Sequence, residues 1–143
     1  MKTLSPSLED YLEAVYTLGR EGGARLSRVS ALLKVSKPSV TAAVRLLAAR
    51  GLVTQEPYGL IRLSPAGLRA GAEIAGRHSL LKDFFVSILG LPEARAEKDA
   101  CRAEHALSRE ALGRLGRLSL FLKGPRRAAT LAAARGFAAG RAA

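Results

Sequence analysis

The chain has 143 residues, the length of one ordinary domain or of two small units sharing an interface. Its 23 Lys and Arg against 12 Asp and Glu leave a formal charge of +11, which points to a polyanionic partner, and 48% apolar residues exclude disorder by composition. Three Tyr, four Phe and no Trp argue against a sugar-binding or base-stacking surface; with no apolar run of the roughly 18–20 residues a membrane span needs and no secretory pattern at the N-terminus, a cytoplasmic protein with no membrane partner is expected.

Three helix starts are marked alike. Ser5-Pro6 and Ser64-Pro65 place a Ser at the N-cap and a Pro at the first helical position, and Ser36-Lys37-Pro38 puts the Pro in the first turn. From the first start, Leu8, Leu12, Val15 and Leu18 recur at helical spacing until Gly19 and the Gly22-Gly23 pair. A short helix over about 26–34 follows, with Val29, Leu32 and Leu33 facing inward. A tight turn at Lys34-Val35-Ser36 leads to a third helix over about 37–50, which buries Val40, Val44 and Leu47 and leaves Lys37, Ser39, Thr41 and Arg45 open. After Gly51 the period changes to two, so Leu52–Glu56 and Leu60–Leu63 read as a hairpin around Pro57-Tyr58-Gly59. Helix, three-residue turn, helix and hairpin is the winged helix-turn-helix order.

A long helix is expected from Pro65 to about Leu89, broken by Gly90-Leu91-Pro92, then one over about 92–106 and another from Ser108 to about Leu122. Leu112, Leu115, Leu118 and Phe121 or Leu122 form the apolar stripe of the last. This half holds more apolar surface than one small helical layer hides, which predicts self-association. The Ala, Arg and Gly tail reads equally as a frayed basic helix or as disorder. The expected fold is mostly α with a small β-hairpin wing: 1–75 as a winged helix-turn-helix, 76–122 as a helical dimerisation domain and 123–143 as a basic tail.

The charge is uneven. Residues 1–75 carry ten basic and six acidic groups, 76–122 eight and six, and 123–143 five and none. Between Glu21 and Glu56 lie Arg25, Arg28, Lys34, Lys37, Arg45 and Arg50 without one acid. Such a stripe is either a solvated face or a phosphate-contacting one, and the helix-turn-helix order favours the second.

One cysteine, Cys101, excludes an internal disulfide and a zinc site built on a Cys pair, and His78 and His105 are the only imidazoles. Asp10 and Glu13 stand three apart on the first helix; Cys101, Glu104 and His105 stand at i, i+3 and i+4 on a later one, with His78 on the long helix between. In type and spacing these are ligands for a first-row transition metal. Taken singly each has a plainer reading: Asp10 in a capping box with Ser7, Glu13 solvated, Cys101 a small buried apolar group, and each His a satisfied side chain.

Four stretches occur in order: Ser7-Leu8-Glu9-Asp10-Tyr11-Leu12-Glu13-Ala14-Val15-Tyr16, Val35-Ser36-Lys37-Pro38-Ser39-Val40-Thr41, Arg77-His78-Ser79-Leu80-Leu81, and Ala100-Cys101-Arg102-Ala103-Glu104-His105-Ala106-Leu107-Ser108. Over about residues 5–122 the chain resembles the DtxR family of metal-dependent transcriptional repressors, which has iron-responsive and manganese-responsive branches. The resemblance implies a DNA-binding winged helix, a helical dimerisation domain and a metal at their junction, in the short form of the manganese branch. It implies Asp10, Glu13, His78, Cys101, Glu104 and His105 as ligands. Asp10 follows the manganese branch where the iron branch has Met, and Cys101 follows the iron branch where the manganese branch has Glu. Lys82 stands where iron-type members often have an acidic ancillary-site residue and Glu97 where some have His, which argues against a complete ancillary site.

The expected function is repression of metal-homeostasis genes, with Fe(II) or Mn(II) as corepressor ordering a homodimer on double-stranded operator DNA, and with no enzymatic activity or small-molecule substrate. A metal ion would tie the two halves together, and the recognition helices of a dimer must meet major grooves about 34 Å apart. Ser36, Lys37, Pro38, Ser39 and Thr41 are the candidates at the recognition-helix start, Arg28, Arg45 and Arg50 for phosphates, and Tyr58 and Arg62 in the wing. A metal-independent winged-helix regulator sensing an organic ligand is the alternative; a metallohydrolase is disfavoured because every plausible general base is already a ligand.

Overall fold

The computed structural model describes residues 4–20, 22–56 and 59–141. The chain divides into two units, Met1–Ala75 and Gly76–Ala143.

The first unit runs α1 (Pro6–Gly19), β1 (Ala24–Arg25), α2 (Leu26–Leu33), α3 (Lys37–Ala49), β2 (Val53–Glu56) and β3 (Leu60–Leu63), and α4 (Pro65–Ser87) begins in it. The expected caps form. Ser5 Oγ accepts the Leu8 N–H, Ser36 Oγ accepts the Ser39 N–H at 3.2 Å, and Ser64 Oγ accepts the Gly67 N–H at 3.0 Å. Ser5, not Ser7, is therefore the cap of α1, and Asp10 stands outside any capping box. Lys34 turns the chain between α2 and α3 with φ +55°, and Ser30 Oγ closes that turn by donating to the Val35 carbonyl at 2.6 Å.

Leu12, Val15, Val29, Val40, Val44, Leu47, Val53 and Ile61 make the core of this unit, each burial stabilising it by about 1.5–3 kcal/mol. Leu33 packs against that core, but Leu32 is 50% exposed, a correction to the expected inward trio. An eight-residue helix shows only one narrow stripe to the core, and Val29 and Leu33, four apart, occupy it. At Gly67 an added Cβ would overlap the Leu52 carbonyl oxygen, so the start of α4 needs glycine to lie against the turn between α3 and β2.

The wing is larger than the expected hairpin. The sheet has three strands in the order β1-β3-β2, all antiparallel, with Arg25 opposite Leu60 and Val53 opposite Leu63. Two residues carry no periodicity, so β1 is visible only once β3 pairs with it.

The second unit holds the rest of α4, then α5 (Glu93–Ala103), α6 (Arg109–Lys123) and α7 (Ala128–Ala138). Leu81, Ala100 and Leu112 form one buried cluster, and Phe84, Ile88 and Leu122 another. Asp83 on α4 ties to α6 by accepting from Lys123 Nζ at 2.8 and 2.9 Å and from Ser119 Oγ at 3.4 Å. Two helix ends differ from expectation: α4 stops at Ser87, and α5 stops at Ala103 rather than near 106. The tail is neither frayed nor disordered over 128–138. It forms α7, because Leu131 packs against the Phe84, Ile88 and Leu122 cluster and Arg127 lies over the Phe121 ring at 3.7 Å.

Candidate metal centre and nucleic-acid interface

In the first unit α1 carries Asp10 and Glu13, both half-buried, while Leu8, Leu12 and Val15 fill the core from the same helix. The N-cap of α3 orders the end of the helix that would enter a groove. Ser36 Oγ also lies 2.7 Å from Ser39 Oγ, and Thr41 Oγ1 donates to the Lys37 carbonyl at 3.1 Å. These hydroxyls are engaged locally, which leaves the Lys37 ammonium, the Pro38 ring and the Thr41 methyl as the outward groups. Lys37, Pro38, Ser39, Arg28, Arg45 and Arg50 are all exposed. Arg62 is exposed too, yet its Nε lies 2.6 Å from Glu56 Oε1, so a wing contact through Arg62 exchanges that ion pair for a phosphate. Tyr58 lies outside the described residues.

Arg25 and Ser27 are residues the sequence reading missed. With Leu26, Lys37 and Gly59 they line an open groove of about 250 Å³ beside the wing. The signal was the acid-free stripe, which contains Arg25, but the pairing of β1 with β3 was needed to bring Arg25 beside Gly59 and Lys37.

In the second unit the remaining candidates gather around one carboxylate. Glu104 follows the last residue of α5, its N–H still donating to the Ala100 carbonyl at 3.0 Å, and its side chain is completely buried. His78 Nδ1, from α4, lies 3.0 Å from Glu104 Oε2, and His105 Nε2 lies 3.4 Å from Glu104 Oε1. Cys101 is exposed, a correction to its reading as a buried apolar group, and places Sγ within 4.8 Å of a Glu104 carboxylate oxygen. His78 and His105 keep side-chain exposures of only 15% and 13%. The helical backbone turn that persists through Glu104 is what keeps Cys101 and Glu104 on one side although α5 formally ends at Ala103.

One atom in this arrangement is unsatisfied. Among the described residues Glu104 Oε1 is buried and accepts no hydrogen bond. His105 Nε2 approaches it at 3.4 Å without making a hydrogen bond, and a buried carboxylate oxygen that accepts none costs about 1–3 kcal/mol. Imidazole nitrogen, carboxylate oxygen and thiolate sulfur converging on it form a donor set that fits a first-row divalent transition metal.

Beyond the predicted ligands stand Lys82, Glu93 and Glu97. Lys82 Nζ lies 3.0 Å from Glu93 Oε1 and 2.9 Å from Glu97 Oε2, and Glu97 Oε1 lies 3.0 Å from His78 Nε2. The hydrogen bond from Lys82, with the charges of His78 and Lys82, holds the Glu97 carboxyl below the usual carboxylate range.

Comparison with known proteins places these units in context. Residues 3–61 match the family model of the iron-dependent repressor N-terminal DNA-binding domain, and residues 64–127 that of the iron-dependent repressor metal-binding and dimerisation domain. The chain is 38% identical over 114 residues to an HTH-type transcriptional regulator of Methanocaldococcus jannaschii, a match covering 78% of this chain and 91% of that one. It is 37% identical over 115 residues to the HTH-type transcriptional regulator MntR of Shouchella clausii, covering 80% of each. Among solved structures, a manganese-dependent transcriptional repressor in complex with manganese matches with a TM-score of 0.72 and 28% identity, over 80% of this chain. The T. acidophilum IdeR matches in fold with a TM-score of 0.68 and 24% identity. This chain spans only 53% and 55% of those two solved chains. Among the described residues no helix is long and apolar enough to cross a membrane.

Proposed function

The chain belongs to the iron-dependent repressor family of metal-dependent transcriptional repressors, which are not enzymes, and from that premise we propose that it represses metal-homeostasis genes as a homodimer on operator DNA, with Fe(II) or Mn(II) as corepressor. The observation that carries the metal reading is the buried Glu104 Oε1, left without a hydrogen bond beside two imidazoles and a thiol.

The proposed ligands are Asp10, Glu13, His78, Cys101, Glu104 and His105. Bound metal supplies concentrated positive charge and directed coordination bonds. Glu104 brings a buried carboxylate already stripped of water, His78 and His105 bring ring nitrogens, and Cys101 brings a soft donor whose deprotonation makes uptake pH-dependent. Asp10 and Glu13 enter from the sequence pattern of α1. Because residues 1–75 supply two ligands and the helical domain 76–122 the other four, metal occupancy and DNA competence are linked. Where the competent state is only partly populated, apparent operator affinity falls by that fraction.

Lys37, Arg28, Arg45, Arg50 and, in the wing, Arg62 contact phosphates; Pro38 and Thr41 offer a ring and a methyl to base edges, Ser36 and Ser39 reach them by exchanging their mutual hydrogen bond, and Tyr58 is the candidate that the sequence adds for the wing. Phosphate contacts set affinity and salt dependence, while the short side chains at the start of α3 discriminate sequence. Exposed Leu118, Leu120 and Phe121 on α6 supply apolar surface for the dimer. Working on operator DNA, the protein acts in the cytoplasm.

The test is binding to DNA upstream of its own gene, first with chelator and then with titrated Mn(II), Fe(II), Co(II) and Zn(II). Affinity that rises with one or more of these metals is expected. Equal affinity with chelator overturns the corepressor reading and favours a metal-independent regulator.

A further inference from the structure

Lys82, Glu93 and Glu97, which lie outside the proposed ligand set, form ion pairs that reach one edge of the His78 ring. Lys82 follows His78 by four residues on α4, so both side chains lie on one face of that helix. Its ammonium sits between two carboxylates of α5, 3.0 Å from Glu93 Oε1 and 2.9 Å from Glu97 Oε2. The second oxygen of Glu97 is 3.0 Å from His78 Nε2, and the opposite edge of the ring, Nδ1, is 3.0 Å from Glu104 Oε2.

Glu93, Glu97 and His78 are themselves metal-ligand types, but Lys82 Nζ already stands among them. That internal cation removes the reason for a divalent ion to settle on the Nε2 side. It also anchors Glu97, whose side chain is 52% exposed and would otherwise lose little by turning to water. A ligating imidazole whose other N–H is held by a carboxylate has a set orientation and tautomer and is a stronger donor.

We propose that Lys82 is a positioning residue of the metal centre: its ammonium, shared by Glu93 and Glu97, holds Glu97 as acceptor of the His78 Nε2–H, so that His78 presents Nδ1 to a divalent transition metal. The inference rests on the metal-binding reading above, and its test separates the two.

The full chain and its Lys82→Met and Lys82→Arg variants are titrated with Mn(II) and Co(II) against a competing fluorescent chelator. Long-range ¹H–¹⁵N spectra record the His78 ring in the metal-free and Zn(II)-loaded proteins. Lys82→Met is expected to weaken metal binding by about 10–100-fold and to lose the hydrogen-bonded Nε2–H signal that Glu97 gives the His78 ring, with both restored by Lys82→Arg. In the Zn(II)-loaded wild type the metal-shifted nitrogen is Nδ1. Unchanged affinity and an unchanged Nε2–H signal in Lys82→Met, or metal on Nε2, overturns the proposal. A wild-type chain that binds none of the metals overturns the metal-binding reading instead, and the metal-free spectra still decide whether Lys82 sets the ring.

Discussion

Glu104→Gln removes one buried negative charge while keeping the shape of the side chain. Glu104 is completely buried, with Oε2 3.0 Å from His78 Nδ1 and Oε1 lacking a hydrogen bond among the described residues. The oxygen that accepts no hydrogen bond costs about 1–3 kcal/mol, and an incompletely paired buried carboxylate adds to that. A divalent cation at this carboxylate offsets both. At a free metal concentration 100 times Kd, mass action stabilises the folded protein by about 2.7 kcal/mol. At about 4 °C per kcal/mol for a chain of this length, wild-type Tm rises by roughly 10 °C. With Gln at this position the rise at the same metal concentration drops below about 3 °C, because the neutral amide binds the cation poorly, while the metal-free Tm stays close to wild type. Calorimetric melts with chelator and with Mn(II) or Co(II), in the absence of DNA, measure both quantities. An equal metal-induced rise in wild type and Glu104→Gln refutes the reasoning. So does a metal-free Glu104→Gln that fails to fold, which would make Glu104 a structural counter-charge for the two histidines.

Lys37→Ala is expected to weaken operator binding and to make the slope of log K against log salt shallower by about 0.9, with metal affinity unchanged; an unaltered slope removes Lys37 from the phosphate contacts. Asp83→Asn is expected to cost about 0.5 kcal/mol at pH 7, a small figure because Asp83 and Lys123 are 44% and 42% exposed. Lys123, with help from Ser87 and Ser119, holds the Asp83 carboxyl below its usual range. A depressed folded value means the contribution is complete above the unfolded pKa of about 4 and is lost as pH falls through the folded one. Urea midpoints of the two proteins should therefore differ at pH 7 and converge under strong acid; a gap that persists there assigns the cost to something other than the ion pair. Leu120→Glu places a charge on the exposed apolar surface of α6, where Leu120 is 76% exposed. Sedimentation should shift toward the monomer with secondary structure retained, and an unchanged dimer places the interface elsewhere.

Much of the fold is legible in the sequence because its signals are local. An N-cap Ser, with Pro in the first turn of three of the helices, works through atoms three residues apart, and a repeat of three or four marks the buried stripe, so the helix starts at Pro6, Lys37, Pro65 and Arg109 could be read directly. The scarcity of one Cys and two His drew attention to Cys101, His78 and His105, whereas Asp10, Glu13 and Glu104 joined them through the family resemblance.

What remained depended on segments far apart in the chain. Leu32 has the composition of a core residue but lies outside the narrow stripe that α2 offers. Arg25 becomes part of a groove only because β3 gives β1 a partner, and the tail forms a helix only because Leu131 finds apolar neighbours on α4 and α6. Spacing could put Glu104 near Cys101 and His105, but not reveal that one of its oxygens is buried without a hydrogen bond, nor that Lys82 reaches Glu97 and Glu97 reaches His78. Residue types and local hydrogen bonds are properties of neighbours along the chain. Burial, and the partner each charge finds, are properties of the packed helices, and it is these that gather candidate donors around one buried oxygen without a hydrogen bond.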